Sequence, residues 1–401
     1  MDKKLSYSFW LFPIVAISSL GLDIFIPALP AINAAFNINP KSTQLLISVY
    51  VLALSIGQLM FGPYIDRHGC QKAFTIGITL CTAASLGIVF NESFVLLVLL
   101  RFMQGVGAGV VAVTTFSSVP KIFKKEINGK VFSLFSSILS VVPVLAPILG
   151  GFLTATYSWE VCFSFLAIYM CVCVLVNWFR PFPSKIEVAP TASEKSMGSY
   201  CKLVTTRSFV IGCLACSLGF STQLVFFSSA PLVIIEQLGI STKNFGFFFA
   251  INALSIAVGS LLVVKLIGKY KEESIIKVAS VILLISGIAF NVRQFTIDLN
   301  VWYFLLPSCL GSFGFALLMS AGTTLALSEF SQQSGRASSL NGALQLIVAS
   351  FFSWLVMNLW DNQWQTISIF YVSCGLIVFG FTFLPKNTTS LGTIDIQANN
   401  R

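Results

Sequence analysis

Phe9-Trp-Leu-Phe-Pro-Ile-Val-Ala-Ile-Ser-Ser-Leu-Gly-Leu-Asp-Ile-Phe-Ile-Pro-Ala-Leu29 is an apolar run carrying a single carboxylate, Asp23. It follows Met-Asp-Lys-Lys, a start that superficially resembles a signal peptide. The run is longer than the roughly 7–15 apolar residues of a signal core, and it contains an acid, so we read it as an uncleaved first membrane span. A span needs about 20 apolar residues. An ionisable group inside one costs about 2.5–3.5 kcal/mol on insertion scales, which makes Asp23 a functional candidate. Pro27 lies four residues on and has no N–H to give to the Asp23 carbonyl. The helix is therefore expected to bend within Gly21–Pro30, beside the carboxylate.

The rest of the chain repeats the pattern. Of 401 residues, 56% are hydrophobic and 10% charged, against about 25% charged in soluble domains. This composition points to a polytopic membrane protein. Apolar spans are expected at 8–30, 43–62, 73–91, 94–116, 131–156, 160–180, 207–230, 245–266, 275–292, 301–327, 337–358 and 364–384. With the N-terminus in the cytoplasm, twenty Lys and Arg fall in cytoplasmic segments and three in outer loops (Lys41, Lys243, Arg293), with Arg101 alone inside a span. Such an asymmetry sets orientation, and both termini are expected to be cytoplasmic. The net charge of +9 follows these loops and forms no patch for nucleic acid. The polar, proline-containing stretch 181–206 divides the spans six and six. The expected organisation is an all-α protein of two six-helix lobes, 1–180 and 207–385, with a cytoplasmic linker at 181–206 and a tail at 386–401.

Three motifs carry chemistry. Gly62-Pro-Tyr-Ile-Asp-Arg-His-Gly-Cys-Gln-Lys72 reads as a tight cytoplasmic loop in which Asp66 caps the third helix and Arg67 and Lys72 hold the cytoplasmic face. The fourth span opens Leu99-Leu-Arg-Phe-Met-Gln-Gly-Val-Gly-Ala-Gly109. At 1.5 Å per residue, Arg101 counted from Phe94 and Asp23 counted from Pro30 both lie roughly 10 Å deep. A buried charge needs a partner, so the two are candidates for a pair, direct or indirect. A permanent ion pair that only locks two helices is the structural alternative. Gly105, Gly107 and Gly109 allow close helix approach. In the fifth span, Pro143 and Ala146-Pro-Ile-Leu-Gly-Gly151 favour a bent helix and a tight contact.

These motifs resemble those of the major facilitator superfamily. Gly62, Asp66, Arg67 and Gly69 match its loop signature, G-x-x-x-D-R-x-G-R-[RK], while Cys70 and Gln71 stand where basic residues usually sit. Arg101, Gln104 and Gly105 match its R-x-x-Q-G pattern. Pro147, Gly150 and Gly151 match the antiporter motif G-P-x-x-G-G, with Ala146 in place of the first glycine. Gly21–Pro30, Ser229–Gly239, Phe245–Leu254 and Gly335–Gln345 look like the Bcr/CflA drug-resistance branch. The resemblance implies the major facilitator fold and proton-driven efflux of small molecules, with Asp23 as the membrane carboxylate. It also implies gating at Gly62, Asp66, Arg67, Gly69, Pro143, Pro147, Gly150 and Gly151.

Gln104, Gln223, Asn252, Asn341 and Gln345 are candidates for a central cavity, with interhelical hydrogen bonds the equal alternative for each. Phe25, Phe226 and Phe227 are candidates for an apolar pocket. Glu92, Glu160, Glu236 and Glu329 fall at span ends, where carboxylates reach water. The only histidine, His68, is in a loop, so no His-based metal site or Ser-His dyad is expected in the membrane, and no metal or cofactor is implied. No ATP-binding loop occurs, so transport is expected to be ion-driven, with protons, a small molecule and lipid as partners and a monomer as the default. A proton symporter importing a metabolite is the second reading. An enzyme or sensor would need a catalytic cluster or an output domain that this sequence lacks.

Overall fold

A computed structural model of the chain describes residues 10–123, 125–182, 203–291, 300–330, 334–359 and 363–383. The central part of the expected linker, the expected tail and Arg293 lie outside the described residues. Twelve helices of 18 residues or more run through those described. They are α1 (Leu11–Phe36), α2 (Leu45–His68), α3 (Cys70–Val89), α4 (Phe94–Ile122), α5 (Lys125–Thr156), α6 (Glu160–Phe179), α7 (Arg207–Gln237), α8 (Thr242–Leu266), α9 (Glu272–Ala289), α10 (Trp302–Leu327), α11 (Ser334–Leu359) and α12 (Gln363–Phe381). Ten are long and apolar enough to cross a membrane. Of the other two, α9 begins with Glu272 and Glu273, which suit the positive end of the helix dipole. The second half of α5, Val141–Thr156, is a shorter apolar helix.

Several helices outrun their apolar runs. Hydropathy alone ends the first span at Pro30, yet α1 reaches Phe36, and α2 continues to His68. Apolar length measures the hydrocarbon layer, whereas backbone hydrogen bonding carries a helix on into the polar interface. This overturns the reading of 62–72 as a loop with an Asp66 cap. Asp66 sits exposed in the last turn of α2. The α2–α3 junction is the single residue Gly69, whose φ of 86° suits a glycine, and no side chain caps α3.

The helices pack as two bundles with one plan. In the first, α4 packs on α1, α2 and α3, α3 on α6, and α1 on α5. In the second, α10 packs on α7, α8 and α9, α9 on α12, and α7 on α11. Adding six to each helix number converts one set into the other. The bundles meet along α2–α11 and α5–α8, a pair of seams related by the same rule. Glycines set the closest approaches. Side chains at Gly105, Gly107 and Gly109 would collide with the main chains of α2 and α3. Outward-facing apolar side chains such as Leu99, Ile168, Leu261 and Leu376 are exposed, as a lipid-facing surface requires.

The helices that begin each bundle are both irregular near one end. In α1 the α-helix stops at Asp23, passes through a 3-10 turn at Ile26–Ala28 and resumes at Leu29. This is the bend expected beside Pro27. In α7 the α-helix gives way after Pro231 to a π-helical turn, Leu232–Gln237. These irregular ends lie together. Asn33 Nδ2 donates to Glu236 Oε1 at 3.3 Å, and Gln44 Nε2 donates to the Ser228 carbonyl at 2.6 Å. The α5–α8 seam closes beside them. Gly151 lies against the Thr242 carbonyl, and Gly246 lies against the backbone of Pro147 and Ile148. At the opposite end, the chain following α6 folds back on the first bundle. The Phe182 ring lies 5.0 Å from Trp10 and 4.9 Å from Phe74, and its N–H donates to Gln71 Oε1 at 2.8 Å.

Candidate functional site

A cavity of about 480 Å³ lies between the bundles. Its lining residues fall on the far side of the Asn33–Glu236 contacts, toward the end that carries His68 and Lys265, so those contacts roof it. The first bundle contributes Ser19, Asp23 and Pro143, and the second contributes Gln223, Phe227 and Ser260, among mostly apolar neighbours.

Asp23 is 1% exposed. Its Oδ2 accepts a hydrogen bond from Ser19 Oγ, one helical turn back, at 2.7 Å, while Oδ1 has no hydrogen-bond partner among the described residues. One oxygen is therefore held by its own helix, and the other is buried without a partner in the wall of the cavity. Among the described residues, Asp23 is the only ionisable one in the cavity lining.

Arg101 is fully buried but does not pair with Asp23; no ion pair joins them among the described residues. Its Nη1 donates to the Gly21 carbonyl at 3.1 Å and to Gln104 Oε1. The guanidinium carbon lies 3.9 Å from the ring centre of Phe25 and 4.3 Å from that of Tyr50, within cation–π range. Nε and Nη2 have no hydrogen-bond partner among the described residues. The shared depth expected from residue counting does not bring the charges together because direction around the helix intervenes. At about 3.6 residues per turn, Gly21 and Phe25 share one face of α1, and Asp23 points roughly 200° away from Gly21. Arg101 therefore reaches the inner face of α1, and Asp23 the cavity face.

Gln104 and Phe25 belong to the Arg101 cluster and not to the cavity lining. Gln104 Nε2 donates to Ser85 Oγ at 2.8 Å. Tyr50, beneath Arg101, donates its hydroxyl to the Ser18 carbonyl at 2.9 Å and so ties α2 to α1. Of the second-bundle candidates, Gln223 lines the cavity and bonds to buried Asn252 and Ser312. Phe226 packs with Phe227, Phe249 and Phe304, and Phe227 reaches the cavity. Buried Asn341 and half-buried Gln345 fall outside the lining, although the next residue, Leu346, is part of it. Among the gating candidates, Pro143 lines the cavity, Gly150 lies against the Ile24 carbonyl beside Asp23, and Gly151 faces α8. Gly62 has open space around it, and exposed Arg67 is in the last turn of α2. Ser19, Tyr50, Ser85 and Ser312 were not singled out from the sequence. Only Ser19 carried a signal, its spacing of four from Asp23, because an isolated hydroxyl in an apolar run has no signature.

Comparison with known proteins agrees with this architecture. A "Chloramphenicol resistance protein" of Pseudomonas aeruginosa is 24% identical over 384 residues, covering 95% of this chain and 90% of the relative. "Multidrug resistance protein MdtL" of Shigella dysenteriae serotype 1 (strain Sd197) is 27% identical over 368 residues, covering 91% and 92%. Among solved structures, a D-xylose-proton symporter superposes with a TM-score of 0.73 at 17% identity, covering 95% of this chain and 98% of that one, a likeness of fold. The model of the Major Facilitator Superfamily matches residues 11–353, and with that match, two related six-helix bundles and a cavity between them, the chain belongs to the Major Facilitator Superfamily as a multi-pass membrane protein.

Proposed function

We propose that this chain is a proton-coupled exporter of small molecules, drugs or secreted metabolites such as siderophores, across the cytoplasmic membrane of a bacterium. The names of the relatives support export of antibiotics and other drugs. The observation that carries the coupling is Asp23, the one ionisable group in the cavity wall among the described residues, with Oδ1 unpartnered. The charge asymmetry of the loops assigns the His68 end and both termini to the cytoplasm. In this reading the roofed end is the outer one and the cavity faces the cytoplasm. The lobes are residues 1–180 and 207–385, joined by the linker 181–206, and the working unit is a monomer.

In this scheme a proton reaches Asp23 when the cavity faces outward, and its release on the cytoplasmic side frees the carboxylate for substrate. Arg101 acts at one remove. Its guanidinium bonds the Gly21 carbonyl two residues before Asp23, so a rearrangement of the α1 break alters the Arg101 site as well. Binding of proton and of substrate at the same carboxylate gives exchange, because a ligand shifts a two-state equilibrium only through a difference in its affinity for the two states. Import by proton symport would need both to bind together, and among the described residues no second acid lines the cavity to hold the proton. The test is ΔpH-driven uptake into inverted membrane vesicles. Asp23→Asn is expected to abolish it while the protein remains folded. Normal uptake by that variant would remove Asp23 from the coupling.

A further inference from the structure

The wall contributed by the second bundle carries a polar cluster that the coupling scheme does not use. Gln223 lines the cavity and is 1% exposed. Ser312 Oγ lies 2.8 Å from Gln223 Oε1 and 2.9 Å from Asn252 Oδ1, and Gln223 Nε2 donates to Asn252 Oδ1 at 3.3 Å. A primary amide offers two hydrogens and two lone pairs. Asn252 and Ser312 engage one of each and fix the rotation of the amide, which leaves Gln223 one hydrogen and one lone pair for a ligand. On the opposite wall, Asp23 Oδ1 also lacks a partner. Phe220, Phe227 and Phe315 contribute aromatic surface between them, and among the described residues no Lys, Arg or His lines the cavity. The buried cation of the first bundle, Arg101, is enclosed by Phe25 and Tyr50 and is not part of the lining.

We infer that Gln223 is a second ligand anchor opposite Asp23, that Ser312 is its positioning residue, and that among the aromatic ligands the cavity admits the two walls hold most tightly those with a hydrogen-bond donor for Asp23 and an acceptor for Gln223. Anions are rejected, because a carboxylate placed beside Asp23 loses its hydration and finds no cation in return. This deepens the exporter reading, and rests on it for the biological role of the site, but it concerns binding and is tested without transport.

The experiment is equilibrium binding to the purified full chain in detergent with three probes. Chloramphenicol is uncharged and aromatic, with hydroxyl donors and a carbonyl acceptor. Tetraphenylphosphonium is an aromatic cation with no hydrogen-bonding group. Salicylate is an aromatic anion. Chloramphenicol is expected to bind, and salicylate not to. Ser312→Ala is expected to weaken chloramphenicol binding about three- to tenfold, the effect of one net hydrogen bond, and to leave tetraphenylphosphonium unchanged. Ser312→Thr, which keeps the hydroxyl, is expected to retain chloramphenicol affinity. Once Gln223→Ala is in place, Ser312→Ala is expected to have no further effect, since the two act as one unit.

Equal weakening of both aromatic probes would reduce Ser312 to a packing residue and overturn the assignment. So would unchanged chloramphenicol binding in Ser312→Ala, absence of chloramphenicol binding to the wild type, or salicylate binding as tight as chloramphenicol binding. Uptake of the same probes into inverted vesicles separates this inference from the exporter reading. Selective binding without uptake counts against export alone, and uptake with binding indifferent to Ser312 and Gln223 counts against the anchor alone.

Discussion

In the first bundle, α1, α2 and α4 supply Asp23, Tyr50 and Arg101. In the second, their counterparts α7, α8 and α10 supply Gln223, Asn252 and Ser312. Both clusters are buried, and both are built from the same three positions in the bundle plan. They differ in charge. The amide cluster is neutral; each of its members hydrogen-bonds another, and Asn252 Nδ2 has no partner among the described residues. The charged cluster leaves Asp23 Oδ1 and Arg101 Nε and Nη2 without partners, and holds its cation by ring faces and carbonyl dipoles. An unpartnered amide hydrogen costs less than an unpartnered buried charge, so the charged groups gain the more from any change that supplies a partner. The first bundle is thus equipped to respond to a proton or ligand, and the second to present a fixed wall.

The largest effect is expected where this contrast is erased. Asp23→Asn makes both walls neutral amide walls, and ΔpH-driven uptake into inverted vesicles is expected to be lost, with the monodisperse elution profile of the wild type retained. The second largest is at the cation. Arg101→Ala is expected to lower thermal stability as well as uptake, because a desolvated cation–ring contact contributes about 2 kcal/mol. Arg101→Lys keeps the charge but loses the planar guanidinium that lies over the Phe25 and Tyr50 rings while Nη1 reaches the Gly21 carbonyl and Gln104, so uptake is expected to fall with most of the stability kept. If Arg101→Lys transports like wild type, charge alone suffices and the planar guanidinium is not needed.

Which parts of this were legible in the sequence depends on the kind of information each needs. Helix number follows from apolar length, and Asp23 and Arg101 stand out because charges are rare in spans. Their separation does not follow, because depth can be counted in residues but the side of α1 each one meets depends on how α4 packs. Asp66 shows the same limit in a polar stretch. An aspartate before a helix reads as a cap, but α2 runs on past it, and the turn is made by Gly69 alone. Ser312 and Tyr50 carry no mark in the sequence because their importance comes entirely from their neighbours in space.

Smaller effects are expected within the first bundle, where α5 packs on α1. A Cβ at Gly150 would overlap the Ile24 carbonyl next to Asp23, so Gly150→Ala must displace main chain. It is expected to destabilise by about 1–3 kcal/mol, the usual range for overpacking, measured as a lower unfolding midpoint. Gly62→Ala, with open space around it, is the matched control and is expected to be close to neutral. The smallest effect is at the roof. Asn33→Ala removes the hydrogen bond to Glu236 and the one accepted from Thr43, worth about 1 kcal/mol each, and is expected to raise labelling of a cavity cysteine introduced at Ser260 by an outer-side thiol reagent several-fold. Unchanged labelling would mean that the Asn33–Glu236 contact does not hold the roof closed.

The most direct test of the central claim, that proton and substrate exchange at Asp23, is to count protons when ligand binds. Purified protein in weakly buffered solution, near the pH at which Asp23 titrates, is mixed with saturating chloramphenicol and a pH indicator. The account predicts proton release on binding by the wild type and none by Asp23→Asn, provided the variant still binds the compound. Binding by the wild type with no proton release across the titration range, or equal release by both proteins, would contradict it.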